Sequence, residues 1–177
     1  RAFGNFQEAV EAGGVDAVYV ATPPSTHRAE ALRCLRAGVP VLVEKPFTVT
    51  ATEAREVVEV AREEGIFCME AMWTHFLPLV RHLKSLLEGG AIGTVRMVAG
   101  SFCGAEAFSP DNHLFSAELG GGALLDLGVY PLSLAHHLLG PPVAVQSDAV
   151  TGAANVDDQV AILLRYAGGA QAVFYAS

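Results

Sequence analysis

The first seventy residues alternate short apolar runs with segments of helical pattern. Phe6 to Ala12 reads as a short helix. Asp16-Ala-Val-Tyr-Val-Ala-Thr22 is an apolar run of strand length. It is apolar on both faces, which predicts a buried parallel strand ending at Pro23-Pro24. Ser25 or Thr26 is expected to cap the next helix, and Gly38 to end it. Val39 to Val43 reads as a second buried strand, its proline near the start, where a strand tolerates one. It runs into Glu44-Lys45-Pro46. Thr50 and Glu53 have capping-box spacing, so a helix should run to Glu64 and close at Gly65. Ile66 to Glu70 is a third strand. This alternation is a doubly wound α/β layout.

The pattern changes near Glu70 to Trp73, where a domain boundary is expected. Leu77 to Leu87 reads as an amphipathic helix stopped by Gly89-Gly90, and Val95 to Phe102 as a strand. Gly104 to Gly122 reads as a long loop. Leu124 to Leu139 reads as helical, with Pro131 either kinking it or opening its second part at N1. Ala144–Val150, Gln159–Tyr166 and Ala170–Tyr175 follow as three strands, the last two joined at Gly168-Gly169. Successive strands after one helix predict a second, α+β domain with a large, mostly antiparallel open sheet. Residues 1–72 and 73–177 are the two domains expected. Arg1 at the start and a strand at the end make both termini look cut, so the chain reads as an internal piece of a longer protein.

Composition narrows the picture. Hydrophobic residues make up 51% of 177 positions and charged residues 17%, which excludes a disordered chain. Net charge is -8, which gives no electrostatic reason to bind nucleic acid or an anionic membrane. No apolar run is long enough to span a bilayer. Cys34, Cys68 and Cys103 are odd in number and lack Cys-x-x-Cys pairing, which reads as a reduced, cytoplasmic protein. His82, His113, His136 and His137 are irregularly spaced, so no metal site is expected.

Three motifs carry candidate chemistry. Thr22-Pro23-Pro24, with His27 in the following helix, stands at the carboxyl end of a parallel strand, where open α/β sheets bind ligands. Lys45 stands at the same edge one strand along, stiffened between Glu44 and Pro46. The third motif is Gly120-Gly-Gly122-Ala-Leu-Leu-Asp126-Leu-Gly128-Val-Tyr130. Its glycines allow close backbone approach or positive φ. Asp126 and Tyr130, four apart, share a helix face and make a candidate proton-handling pair. Each motif alone also fits a structural role: a rigid turn, a solvated loop lysine, a helix cap with a half-buried tyrosine.

In this order, the motifs resemble the glucose-fructose oxidoreductase/inositol dehydrogenase (Gfo/Idh/MocA) family along essentially the whole chain. Met69-Glu-Ala-Met-Trp73-Thr74-His75-Phe76-Leu-Pro78 resembles its dihydrodiol/D-xylose dehydrogenase branch more narrowly. The resemblance implies a Rossmann-type parallel sheet, here incomplete, then part of an α+β domain whose open sheet makes a homodimer or higher homo-oligomer. It implies NAD or NADP as cofactor and a small polyol or sugar as substrate. It assigns Lys45, Asp126 and Tyr130 to catalysis. Thr22, Pro23, Pro24, His27, Glu44, Lys45 and Trp73 fall on the cofactor side, and Trp73, His75, Phe108 and Tyr130 on the substrate side. Two features depart from the family. Its opening Gly-x-Gly-x-x-Gly turn is absent, so the phosphate-binding residues are expected before Arg1. His75 stands where the branch commonly has arginine, which bears on how substrate oxygens are held.

The chemistry expected is reversible hydride transfer between nicotinamide and a carbinol carbon. A free tyrosine has a pKa of about 10. A lysine ammonium nearby would favour its phenolate and stabilise a developing alkoxide. Asp126 would hold the lysine or a substrate hydroxyl. Two alternatives are another sugar or inositol dehydrogenase of the family and a regulator on the same fold without turnover. With the first βαβ unit missing, the 177 residues alone are expected to be inactive.

Overall fold

A computed structural model describes residues 2–109 and 111–177; Arg1 and Pro110, the latter inside the expected long loop, lie outside the described residues. The chain forms two compact units. One runs to Ala71 and takes in Glu118–Gly120; the other comprises Met72–Ala117 and Gly121–Ser177.

The first unit contains α1 (Phe6–Glu11), β1 (Val18–Val20), α2 (Pro24–Arg36), β2 (Val41–Val43), α3 (Ala51–Glu64) and β3 (Cys68–Glu70). Its strands lie in the order β1-β2-β3, all parallel, with Val18 beside Val41 and Val41 beside Cys68. Each strand is three residues long, shorter than the apolar run that predicts it. Val20, Val41 and Val43 are buried with Leu32 and Leu35 of α2 and Val57 of α3. Each such side chain contributes about 1.5–3 kcal/mol on burial. The sheet is not covered equally on both faces: Tyr19, pointing away from Val20, is 55% exposed.

The helix ends show which local signals hold. Thr50 Oγ1 accepts from Glu53 N, and the Glu53 side chain accepts from Thr50 N, so the capping box forms. Gly65 closes α3 in the left-handed region. At α2, neither Ser25 nor Thr26 is the cap. Pro23 takes that position and Pro24 is at N1, where its fixed φ suits the helix and its missing N–H has no partner to lose. The Thr26 hydroxyl turns back to Thr22 Oγ1 at 2.6 Å and Pro23 O at 3.0 Å.

The second unit opens with a 3₁₀ turn (Trp73–Phe76) and α4 (Pro78–Glu88), then β4 (Met97–Phe102). Two short 3₁₀ turns, His113–Phe115 and Ala117–Leu119, interrupt the long loop; Ala117 belongs to this unit and Glu118 and Leu119 to the first. A π-helical turn (Leu124–Gly128) leads into α5 (Val129–Leu139), followed by β5 (Ala144–Thr151), β6 (Asp157–Arg165) and β7 (Gln171–Ala176). The single helix expected from Leu124 is thus a π turn and an α-helix. Pro131 is the third residue of α5 rather than its N1. Proline has no N–H with which to continue a ladder from the preceding turn, and the wide turn falls just before it.

The second sheet has the order β4-β7-β6-β5. β5–β6 and β6–β7 are antiparallel and β4–β7 is parallel, so it is mixed. Val160, Ile162, Leu164, Ala172, Phe174 and Ala176 are buried on one face with Ala135 of α5, and Leu124, Leu127, Leu132 and Leu139 pack against them. The register puts Met97, Ala99, Ala161, Leu163, Val173 and Tyr175 on the opposite face. That face is open: Met97 is 60% exposed and Tyr175 56%. Among the described residues, no helix is long and apolar enough to cross a membrane.

Candidate functional site

In the first unit, the candidate residues gather at the carboxyl ends of β1 and β2. Thr22-Pro23-Pro24 follows β1 and Glu44-Lys45-Pro46 follows β2; the Lys45–Pro46 peptide is cis. His27 joins the two turns. Its side chain is buried, with Nδ1 2.9 Å from Pro46 O and Nε2 2.8 Å from Thr22 O. Both oxygens can only accept, so the ring donates to one of them when neutral and to both when doubly protonated.

The lysine turn is fastened by carboxylates as well. Glu44 Oε2 accepts from Lys45 N at 2.9 Å, and Glu44 Oε1 accepts from the Tyr19 hydroxyl. The hydrogen bond to Glu44 raises the Tyr19 pKa, with smaller contributions from burial and from the carboxylate charge. Beyond the proline, Phe47 N donates to Glu70 Oε1 at 2.8 Å. Glu70 ends β3 beside Val43 of β2, so the neighbouring strand steadies the turn. Tyr19 and Glu70 are absent from the sequence reading of the site. A signal for Tyr19 was present: it pairs with Leu42, and Glu44 is the next residue on the same side of that strand.

Gly120 has φ +80°, and a Cβ there would come within 2.9 Å of Pro24 Cβ and Val49 Cγ2. Glycine is required because backbone packs against the Pro24 turn. This is one of the two roles expected of the glycine run. Gly122, with φ +109°, shows the other.

In the second unit, Asp126 lies in the π turn and Tyr130 one turn on, in α5. Such turns often occur at functional sites. The N-terminus of the turn is held from the sheet: Leu124 N donates to Asp157 Oδ2 at 2.6 Å. Tyr130 Oη accepts from Trp73 Nε1 at 3.2 Å. The two rings meet edge-on at 6.2 Å and 73°, and Phe102 of β4 packs beside Tyr130 at 5.2 Å.

His75 is engaged with α5. Its Nε2 lies 2.9 Å from Ser133 Oγ, and its ring stacks on His137 at 4.3 Å and 22°. Burial lowers the His137 pKa first, and the charges of His75 and Lys84 add to that. Sequence reading did not select Ser133, His137 or Phe102. The first two were legible, since Asp126, Tyr130, Ser133 and His137 recur at intervals of four, three and four. Phe108 stacks edge-on with Phe115 at 5.2 Å and lines a cavity of about 520 Å³ onto which Asp126 and Asp157 also open.

Residues 1–72 match the oxidoreductase family with NAD-binding Rossmann fold, and residues 80–177 match the GFO/IDH/MocA C-terminal domain. Over 179 aligned positions covering the whole chain, 38% are identical to trans-1,2-dihydrobenzene-1,2-diol dehydrogenase of Sus scrofa. The alignment covers 53% of that enzyme, so the chain spans about half its length. D-xylose 1-dehydrogenase (NADP(+)) of Hypocrea jecorina is 43% identical over 141 residues, 75% of this chain and 36% of that enzyme. An NAD binding oxidoreductase from Klebsiella pneumoniae superposes with a TM-score of 0.90 at 31% identity, over 99% of this chain and 51% of that one. Matches to both family domains, in the order in which the two units follow each other, make this chain a member of the Gfo/Idh/MocA oxidoreductase family.

Proposed function

We propose that the protein is an NAD(P)-dependent oxidoreductase that moves hydride between nicotinamide and a carbinol carbon of a diol, sugar or related polyol. The observation that carries this is Tyr130, whose phenol oxygen accepts a hydrogen bond from Trp73 one turn after Asp126. As a phenolate this oxygen can accept the proton of a substrate hydroxyl, and as a phenol it can return it.

The first unit fits a dinucleotide. Its two candidate turns lie at the carboxyl ends of adjacent parallel strands, where open α/β sheets bind ligands, and Thr22, Pro23, Pro24, His27 and Glu44 build them. The nicotinamide, when bound, supplies the hydride acceptor or donor. Tyr130 takes the hydroxyl proton as an alcohol is oxidised and returns it in reverse. Lys45 supplies positive charge for the developing alkoxide. Asp126 orients a substrate hydroxyl. Trp73, His75 and Phe108 are assigned to the substrate side. Similarity to dihydrodiol and xylose dehydrogenases favours a neutral polyol.

The open face of the second sheet, with Met97, Val173 and Tyr175 exposed, supports a homodimer formed through it. Three free cysteines support a reducing, cytoplasmic setting. In the full-length enzyme, Lys45→Met and Tyr130→Phe should each lower kcat/KM by about 10²–10⁴. Near-normal turnover of both variants on a panel of diols and sugars would overturn the assignment.

A further inference from the structure

We infer that Trp73 is itself a catalytic residue, donating its indole N–H to the Tyr130 oxygen to stabilise that oxygen as it gives up its proton; this rests on the reading of Tyr130 as the acid/base. The direction of the bond is unambiguous. Indole nitrogen only donates, so at 3.2 Å the phenol oxygen is the acceptor. The indole N–H meets the oxygen and makes no use of the phenol hydrogen. When the phenol becomes phenolate, the same N–H faces a charged oxygen, and hydrogen bonds to charged acceptors are roughly twice as strong as neutral ones. In the reduction direction, where Tyr130 gives its proton to the developing alkoxide, the bond thus favours the reacting state over the resting one, which is the condition for accelerating a step rather than only tightening binding.

The donor is held where it must be. Trp73 begins the 3₁₀ turn that also carries His75, and His75 is tied to α5 by Ser133 at 2.9 Å and by stacking on His137. Tyr130 lies on the same helix, three residues before Ser133. One short turn and one helix therefore share two side-chain bonds. His75 is also a positioning residue in this arrangement, acting through Trp73. Phe102 packs against the Tyr130 ring and limits its swing away from the donor.

A tryptophan that only walls the substrate pocket would act through its ring, so the test removes the N–H and keeps the ring. Trp73 is replaced in the full-length enzyme by the isosteric benzothienyl amino acid, in which sulfur stands for N–H. Roughly a tenfold fall in kcat for carbonyl reduction is expected, with KM changed less than twofold. A wall role predicts unchanged kcat and overturns the proposal. A second measurement does not depend on turnover. With tryptophan indoles ¹⁵N-labelled, the Trp73 N–H resonance, identified by its loss in Trp73→Phe, should move in Tyr130→Phe. An unmoved resonance means the bond does not exist. If Tyr130→Phe abolishes turnover while the isostere leaves kcat intact, the assignment of Tyr130 stands and the role of Trp73 falls. If Tyr130→Phe turns over normally, both fall.

Discussion

The two units hold their candidate chemistry by different means. In the first, four ties reach main chain, two from His27 to carbonyl oxygens and one each from Glu44 and Glu70 to a backbone N–H at the lysine turn, with Tyr19 bonded to the Glu44 side chain beside them. Around Tyr130 in the second they run from side chain to side chain, Trp73 to Tyr130 and His75 to Ser133, with Trp73 54% exposed. Main-chain ties shape a surface for a bound molecule, and losing one disturbs the fold. Side-chain ties aim individual atoms, and losing one should disturb the reaction while the fold persists. Substitutions in the two places should therefore read out differently.

The largest expected contrast in stability is His27→Ala against Trp73→Phe. His27→Ala empties a buried site and orphans one or both carbonyls, a loss of about 2–4 kcal/mol. Trp73→Phe removes one half-exposed hydrogen bond and should lose less than about 1 kcal/mol. Urea unfolding of both variants measures this. Equal losses would break the distinction between the units.

Gly120→Ala comes next. The new methyl meets Pro24 and Val49 at a positive φ, so about 1–3 kcal/mol should be lost. The effect belongs to the first unit, so dinucleotide affinity should weaken before any change in the second. A variant with wild-type melting and wild-type affinity for NAD(P) would show that the close approach is dispensable.

The sequence disclosed most where a signal is local. The Thr50–Glu53 capping box and the Gly168-Gly169 hairpin depend on residues within a few positions, and both form as expected. The start of α2 was also local but two signals competed, and the paired prolines took the helix start ahead of Ser25 and Thr26. The parallel pairing of β4 with β7 joins residues some seventy positions apart, which periodicity cannot register. The π turn escaped for another reason: its apolar residues fit a period of 3.6 just as well. At the candidate site, the shared helix face of Asp126 and Tyr130 was legible from spacing, whereas Trp73 as a partner of Tyr130 was not, because that bond spans fifty-seven positions.

The smallest effect expected is one of pH, and it falls in the second unit. Burial beside His75 and Lys84 holds the His137 pKa below its ordinary 6.5, so between that value and 6.5 the unfolded chain binds more protons than the folded one. Stability then rises with pH across this window. Its contribution is whole above about 6.5 and is lost as pH falls through the lowered value. His75 shares the stack, and His136 and Glu88 also bear on the ring, so the comparison must be made within one background. Between pH 7 and pH 5, the wild-type melting temperature should fall further than that of His137→Asn, by about one or two degrees. An identical slope for both would mean that the stack carries no protonation penalty.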